Sequence, residues 1–242
     1  MIEIKNLSRN FGAVQAVRDL SLRVAEGELY CFLGPNGAGK TTTIKILCGL
    51  LKPSSGKIRI AALDPEKEPA KVRAMIGYIP DTPFLYERLT AGEFFHFIGD
   101  LYRIPAEKIA AEREVLFRLF DLERYAGCLI RDLSHGFRQR LIYAVTFLHA
   151  PQVLFIDEPF IGLDPYSIRL IQGLLKRKAA EGMTVFLTSH ILPLIEKLAD
   201  RIGIMDSGRL VAEGTLDELR RTSSVDGSLD DIFLRITRQE IE

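Results

Sequence analysis

Gly34-Pro35-Asn36-Gly37-Ala38-Gly39-Lys40-Thr41 decides the fold of this chain. These residues fill every position of the phosphate-loop pattern G-x-x-x-x-G-K-[ST]. Upstream, Leu29-Tyr30-Cys31-Phe32-Leu33 reads as a short buried strand. Downstream, Ile44, Leu47, Cys48 and Leu51 fall at i, i+3, i+4 and i+7, one apolar face of a helix. A strand, a glycine-rich turn and a helix N-terminus form an anion trap. Glycines let several backbone N–H groups converge on one phosphate, and the helix dipole adds positive potential. Asn36, Gly37, Ala38, Gly39, Lys40, Thr41 and Thr42 are therefore the candidates for holding a nucleoside triphosphate. Lys40 is expected to reach the β- and γ-phosphates and the Thr41 hydroxyl to sit on Mg²⁺. The simpler alternative, a glycine-rich turn with a surface lysine, leaves the complete motif and its strand–helix context unexplained.

The chain of 242 residues is long enough to bury a full α/β core with a subdomain. It carries 32 Lys+Arg against 32 Asp+Glu, so no global field draws it to nucleic acid or anionic lipid. Cys31, Cys48 and Cys128 are widely spaced and odd in number, which fits small core residues in a reducing compartment. Met1-Ile2-Glu3-Ile4-Lys5 starts strand-like alternation at once, unlike a signal peptide. The most apolar long stretch, 141–156, is interrupted by Thr146, His149, Pro151 and Gln152, so no spanning helix is expected. A soluble, cytoplasmic protein is the expectation.

Period-two pairs at Ile2/Ile4, Leu20/Leu22/Val24 and Ile58/Ile60 predict a small antiparallel sheet beside the nucleotide core. A polar connection over 64–69 leads to a strand at Ile76-Gly77-Tyr78-Ile79. From about 90 to 150 the pattern is helical, opened by a capping box at Thr90-Ala91-Gly92-Glu93, with further helices over 107–120 and 139–148. Val153-Leu154-Phe155-Ile156 and Val185-Phe186-Leu187 read as buried parallel strands. Asp206-Ser207-Gly208 turns a late hairpin, and the tail from about 222 is polar and then weakly helical.

Four more segments carry candidate chemistry. Val153-Leu154-Phe155-Ile156-Asp157-Glu158 is an apolar strand ending in two carboxylates, at the edge where parallel strands face a ligand crevice. There Asp157 can hold Mg²⁺ and Glu158 can polarise an attacking water; a solvated acidic turn is the structural alternative. Leu133-Ser134-His135-Gly136-Phe137 opens a helix with Ser134 as N-cap, and taken alone it is only a cap. Ile161-Gly162-Leu163-Asp164-Pro165 reads as an Asp N-cap with proline at the first helical position, which leaves room for a functional role of Asp164. His190 closes Thr188-Ser189-His190 at a strand end, as a turn residue or as a group facing the crevice.

In order and spacing, these segments resemble the ATP-binding-cassette (ABC) ATPases over nearly the whole chain. The resemblance makes residues 34–41 the Walker A motif, 153–157 the Walker B motif and Glu158 the catalytic glutamate. It makes 133–137 the signature, 161–164 the D-loop, His190 the switch histidine and Phe11 the aromatic that stacks on adenine. It implies an α/β fold: a P-loop NTPase (RecA-like) core, a small antiparallel β subdomain and a helical signature subdomain. All of 1–242 would be one nucleotide-binding domain, with core and β subdomain in 1–81 and 151–220, helical subdomain in about 82–150 and tail in about 221–242. Ile76-Gly77-Tyr78-Ile79-Pro80, Leu85-Tyr86-Glu87 and the tail Leu229-Asp230-Asp231-Ile232-Phe233 are closest to the nucleotide-binding subunits of ABC-2-type exporters.

Two departures stand out. The third and fifth signature positions, usually glycine and glutamine, are His135 and Phe137, while Ser134 and Gly136 remain to donate to a γ-phosphate in trans. The Q-loop glutamine is replaced by Asp81, whose carboxylate favours a cation but repels phosphate oxygens and is too short for contact with the metal to be assumed. The resemblance implies an ATPase using ATP and Mg²⁺, paired head-to-tail with a second ABC ATPase chain, identical or not. The pair would drive export through a separate membrane permease at the inner face of the cell membrane, with no nucleic acid involved. Phe84 and Tyr86 are the expected permease contacts, whereas Phe94, Phe95 and Phe97 are expected to pack the insert's own core. The rival is a soluble, non-transport ABC ATPase acting on a macromolecular complex. A third possibility is a regulatory subunit that binds ATP and turns over slowly.

Overall fold

The computed structural model describes residues 1–224 and 227–237. β1 (Ile2–Phe11) and β2 (Val14–Val24) form an antiparallel hairpin. β3 (Leu29–Leu33) runs through the phosphate loop into α1 (Lys40–Leu47). β4 (Ser55–Ile60) returns to pair with β1, completing a three-stranded sheet in the order β2-β1-β4, as period-two alternation predicts. The apolar face of α1 is shorter than the spacing implies. Cys48 caps the helix, Gly49 turns at φ +69°, and Leu51 lies beyond it.

The polar connection ends in a helix that the sequence pattern did not disclose, α2 (Pro69–Met75), which buries Val72 and feeds β5 (Ile76–Ile79). Three helices follow: α3 (Ala91–Leu101), α4 (Ala106–Leu119) and α5 (His135–Phe147). The capping box before α3 is formed in both directions: Glu93 N–H donates to Thr90 Oγ1 and Thr90 N–H to Glu93 Oε2. Then come β6 (Val153–Asp157), α6 (Pro165–Ala180), β7 (Thr184–Ser189) and α7 (Leu192–Glu196). The hairpin of β8 (Arg201–Asp206) and β9 (Arg209–Gly214) leads to α8 (Leu216–Ser223) and α9 (Leu229–Thr237). Residues 225, 226 and 238–242 of the expected tail lie outside the described residues.

The second sheet has the order β5-β6-β7-β3-β8-β9, parallel except for β9. Strand parity sorts its side chains into two cores. Tyr30, Phe32, Val153, Phe155 and Phe186 join β1, β2, β4 and α1, with the Tyr30 and Phe186 rings stacked at 5.3 Å. Leu29, Cys31, Leu33, Leu154, Ile156, Val185 and Leu187 join the helices α3 to α6. The central strands β3, β6 and β7 are therefore buried on both faces, as their near-continuous apolar runs require, whereas the antiparallel edge strand β9 is largely exposed. Cys31 and Cys48 are buried, Cys128 is half-buried, and all three are free thiols. Among the described residues, no helix is long and apolar enough to cross a membrane.

Candidate functional site

The C-terminal ends of β3, β6 and β7 meet at a cleft of about 380 Å³. Asn36, Gly37, Ala38, Gly39, Lys40, Thr41 and Thr42 form one wall, with Asp81, Glu158, Ile161 and His190 opposite. Gly39 is the N-cap of α1 at φ +104°, and no side chain caps the helix, so its first amides are free to meet an anion. The first turn of α1 also carries no acidic residue. Gly39 is required twice over: its φ is left-handed, and a Cβ there would collide with the Ala16 carbonyl oxygen. Ala16 lines the cleft as well, a wall residue that no sequence motif marks.

Lys40 does not reach into the open cleft. Its ammonium donates to the Gly34 and Pro35 carbonyls at 2.7 and 3.1 Å, folded back over its own loop. Burial pushes its pKa below the ordinary value, opposed by the negative charges of Glu158 and Asp157.

Asp157 is 1% exposed, on the parity of β6 that faces α1. One carboxylate oxygen accepts the Thr188 hydroxyl, and the other, Oδ2, is buried without a hydrogen-bond partner. An anionic oxygen left bare in the interior fits a cation site. Among the described residues, no cluster of three or more His, Cys, Asp or Glu could hold a metal. A cation here would complete its shell with a hydroxyl and with oxygens of the bound nucleotide, the habit of Mg²⁺ rather than Zn²⁺. The chemistry of Asp157 and Thr41 fits that ion.

Glu158 begins the loop after β6 in the left-handed region, φ +53°. Its amide donates to the carbonyl and hydroxyl oxygens of Thr188 at 3.2 and 3.3 Å. Holding a non-glycine residue there costs on the order of 1–3 kcal/mol. The turn brings its carboxylate to His190, whose Nδ1–H and backbone amide both donate to Oε2, at 2.9 and 3.3 Å. Asp81 lines the cleft, and its Oδ1 accepts the Thr82 amide at 2.7 Å.

Asp157 lies buried behind the cleft wall, and four other expected site residues do not line the cleft either. Phe11 is 47% exposed at the end of β1, under the Arg9 guanidinium at 4.5 Å. Ser134 caps α5 through the Phe137 amide, and Gly136 lies against Asp164. Asp164 caps α6, accepting from the Tyr166 and Ser167 amides and from the Ser167 hydroxyl. Those Ser167 bonds, then Tyr166 and the Arg140 charge, hold its carboxyl below the usual range. Ser134, Gly136 and Asp164 thus form a second cluster, away from this chain's own phosphate wall. Thr188, which bonds Asp157, and Arg140, which bonds Ser167, act across the fold and escaped the sequence reading, whereas Ser167 sits three residues from Asp164 within the same cap.

The ABC transporter family model matches residues 17–161. The daunorubicin resistance ATP-binding protein DrrA3 of Streptomyces coeruleorubidus is 36% identical over 234 residues, covering 97% of this chain and 73% of that protein. A solved ATP-binding subunit of an ABC transporter superposes with a TM-score of 0.92 at 35% identity, covering 98% of this chain and 99% of the other. The cassette MJ0796, solved as a dimer, superposes at 0.82 with 28% identity, over 89% and 99% of the two chains.

Proposed function

Since the chain belongs to the ABC transporter family and is one of its ATP-binding ATPases, we propose that it powers export through a separate membrane permease. The ATP-binding cassette MJ0796 has been solved as a dimer, including a post-hydrolysis state bound to ADP and Pi. The observation that supports the site assignment is the buried, unpartnered Oδ2 of Asp157 at the end of a strand that packs on α1, whose N-terminus has no side-chain cap.

ATP binds with its phosphates against the amides of 36–39 and of Thr41 and Thr42, and its adenine near Phe11. Lys40 leaves the Gly34 and Pro35 carbonyls for the β- and γ-phosphate oxygens, a stronger, charge-assisted contact. Thr41 and Asp157 would hold Mg²⁺, which supplies charge neutralisation on the transferred phosphoryl group. Glu158 orients the attacking water and takes its proton as the water oxygen bonds the γ-phosphorus and ADP leaves. His190, whose Nδ1–H is held on Glu158, can donate to the γ-phosphate from Nε2 only as the imidazolium, with both ring nitrogens protonated. Ser134 and Gly136, which do not line their own cleft, serve the ATP of a second chain, beside its Asp164. Asp81 lines the cleft with Oδ1 engaged by its own loop, which leaves Oδ2 as the atom that would meet a metal there.

The export assignment rests on two supports. DrrA3 is by name a drug-resistance ATP-binding protein. Beside Asp81, an apolar groove of about 220 Å³ is lined by Tyr78, Pro80, Pro83, Phe84 and Phe94. Phe84 stands 80% exposed there, its ring edge-on to Tyr86 at 5.5 Å, an unfavourable arrangement in water and a natural seat for a permease segment. In that assembly the single cassette of 1–242 sits on the inner face of the cell membrane, with no nucleic acid partner. The test is a pull-down of tagged Glu158→Gln, loaded with ATP, from solubilised membranes of the source organism. Stoichiometric recovery of a polytopic membrane protein is expected; recovery of a ribosome or a soluble complex would refute transport and leave the ATPase intact.

A further inference from the structure

The two unusual side chains of the 133–137 segment both reach the same target within this chain, the loop that joins β6 to α6. His135, the first residue of α5, sets Nε2 at 3.3 Å from the Ile161 carbonyl oxygen. A carbonyl only accepts, so Nε2 carries the proton and donates. The ring also lies flat against the loop. A Cβ on Gly162, which turns at φ +70°, would sit 3.2 Å from Nε2 and 3.3 Å from Cδ2. Glycine at 162 and histidine at 135 therefore fit each other. Within the loop itself, the bond from the Leu163 amide to the Phe160 carbonyl is long, at 3.4 Å.

Phe137 acts on the other end of the loop. Its ring packs against Tyr125 at 4.1 Å and lies under the Arg140 guanidinium at 5.0 Å. Tyr166 lies against the same guanidinium, also at 5.0 Å, so Arg140 is held between two rings. Arg140 is 7% exposed and donates Nε and Nη2 to Ser167 Oγ at 3.2 and 3.0 Å, and Nη1 to Asp121 at 3.3 Å. With its lone pairs facing Arg140, the Ser167 hydroxyl turns its own proton to Asp164. Phe137 thus fixes Arg140, Arg140 orients Ser167, and Ser167 fixes Asp164.

We propose that His135 and Phe137 are positioning residues that lock the loop 161–164 to the start of α5, so that the two move as one body. The proposal rests on the assignment of Ser134 and Gly136 to the ATP of a second chain. One end of the locked unit then faces the partner's nucleotide. The other end carries Ile161, which lines this chain's own cleft beside Glu158. Engagement of Ser134 by the partner's γ-phosphate is thereby passed to the chain's own hydrolytic loop through a single imidazole hydrogen bond and an arginine clamp. The two ATP sites are coupled through these side chains.

The test compares His135→Ala, which deletes the donor, with His135→Gln, which returns an N–H at similar reach. Hydrolysis by the purified full chain is followed against ATP concentration, with binding of a fluorescent ATP analogue to the monomer measured separately. His135 is exposed, so both variants should fold with unchanged melting temperatures. His135→Ala should lower kcat about three- to tenfold, as expected for one lost neutral hydrogen bond. Its Hill coefficient should fall toward one while analogue binding stays unchanged, and His135→Gln should restore both kcat and cooperativity. Equal impairment of the two variants, or unchanged cooperativity in His135→Ala, would overturn the proposal. Ser134→Ala separates the two levels. If it leaves hydrolysis intact, the second-chain assignment itself fails. If it abolishes hydrolysis while His135→Ala has no effect, only the positioning role falls.

Discussion

Replacing Asp157 with Asn should stabilise the nucleotide-free protein and disable the loaded one. The Asp157 side chain is 1% exposed, with Oδ1 bonded to the Thr188 hydroxyl and Oδ2 bonded to nothing. A buried polar group without a partner costs about 1–3 kcal/mol, more when charged. Two neighbouring charges act in opposite directions. Lys40 attracts Asp157 but spends its hydrogen bonds on the Gly34 and Pro35 carbonyls. Glu158, next in the chain, carries a like charge and repels it. Asn keeps the acceptor for Thr188 and puts a neutral amide, itself short of partners, where the bare oxygen was, so the gain comes from removing the charge. The net gain is then about 1–2 kcal/mol, or about 2–8 °C in Tm for a chain of this size. Melting in EDTA without nucleotide measures it directly. Adding Mg²⁺ and ATP at about 100 times Kd should raise the stability of the natural protein by about 2.7 kcal/mol. The variant should lose the Mg²⁺-dependent part of that increment and its turnover. A variant less stable than the natural protein in EDTA, or one with the full Mg²⁺-dependent increment, would refute the assignment of Oδ2 as an unpaired metal ligand.

Glu158→Gln should lose about 10²- to 10⁴-fold in turnover while still binding ATP and associating in its presence, measured by phosphate release and light scattering. Gly39→Ala should lower Tm and abolish nucleotide binding in a titration. It forces a side chain into a left-handed turn at about 1–2 kcal/mol and drives a methyl into the Ala16 carbonyl oxygen and to 2.9 Å from the Met205 methyl. His149 should make stability fall with acid. Its Nε2–H donates to the Ile76 carbonyl, Nδ1 is buried without a partner, and burial sets its pKa below the ordinary 6.5. The folded protein thus binds fewer protons than the unfolded chain below that value. The contribution of His149 is intact above about pH 6.5 and declines as the pH falls toward the folded pKa, so His149→Gln should flatten the Tm profile between about pH 7.5 and 5.5. Phe84→Ala should reduce co-purification with membrane protein without changing ATP binding, since its exposed ring lines the groove and not the phosphate wall.

The parts of the fold legible in the sequence are those whose cause is local. The turn at 34–41, the capping box at Thr90 and the proline-led cap at Asp164 are specified by residues within a few positions of one another, and each forms as written. The short helix α2 buries Val72 and has no repeating apolar face to announce it. The helix α8 was legible in principle: Thr215 and Glu218 form a second capping box, but the following face buries only Leu219. Within the site the same division holds. Lys40 and Thr41 come with their motif, whereas Thr188 reaches Asp157 across a sheet ladder and Ala16 enters from a separate sheet. His135 and Phe137 were visible as departures, but their target was not. Sequence distance hid the loop 161–164 from α5 until the fold packed them together.

Strand parity explains why two adjacent carboxylates take different roles. Phe155 and Asp157 share the face of β6 that packs on α1, while Leu154 and Ile156 face the helices. Continued as regular strand, the chain would send Glu158 into the helical core, where an isolated carboxylate has no partner and a large desolvation cost. The left-handed turn at Glu158 removes it from that alternation and carries its carboxylate to the rim, where His190 donates to it twice. Thr188 makes the turn possible: its carbonyl and hydroxyl both take the Glu158 amide, and the same hydroxyl donates to Asp157. One threonine therefore fixes the buried carboxylate suited to a cation and the rim carboxylate suited to water. Thr188→Val, which keeps the shape and loses the hydroxyl, disturbs both roles at once, whereas a change at either carboxylate alone disturbs only one.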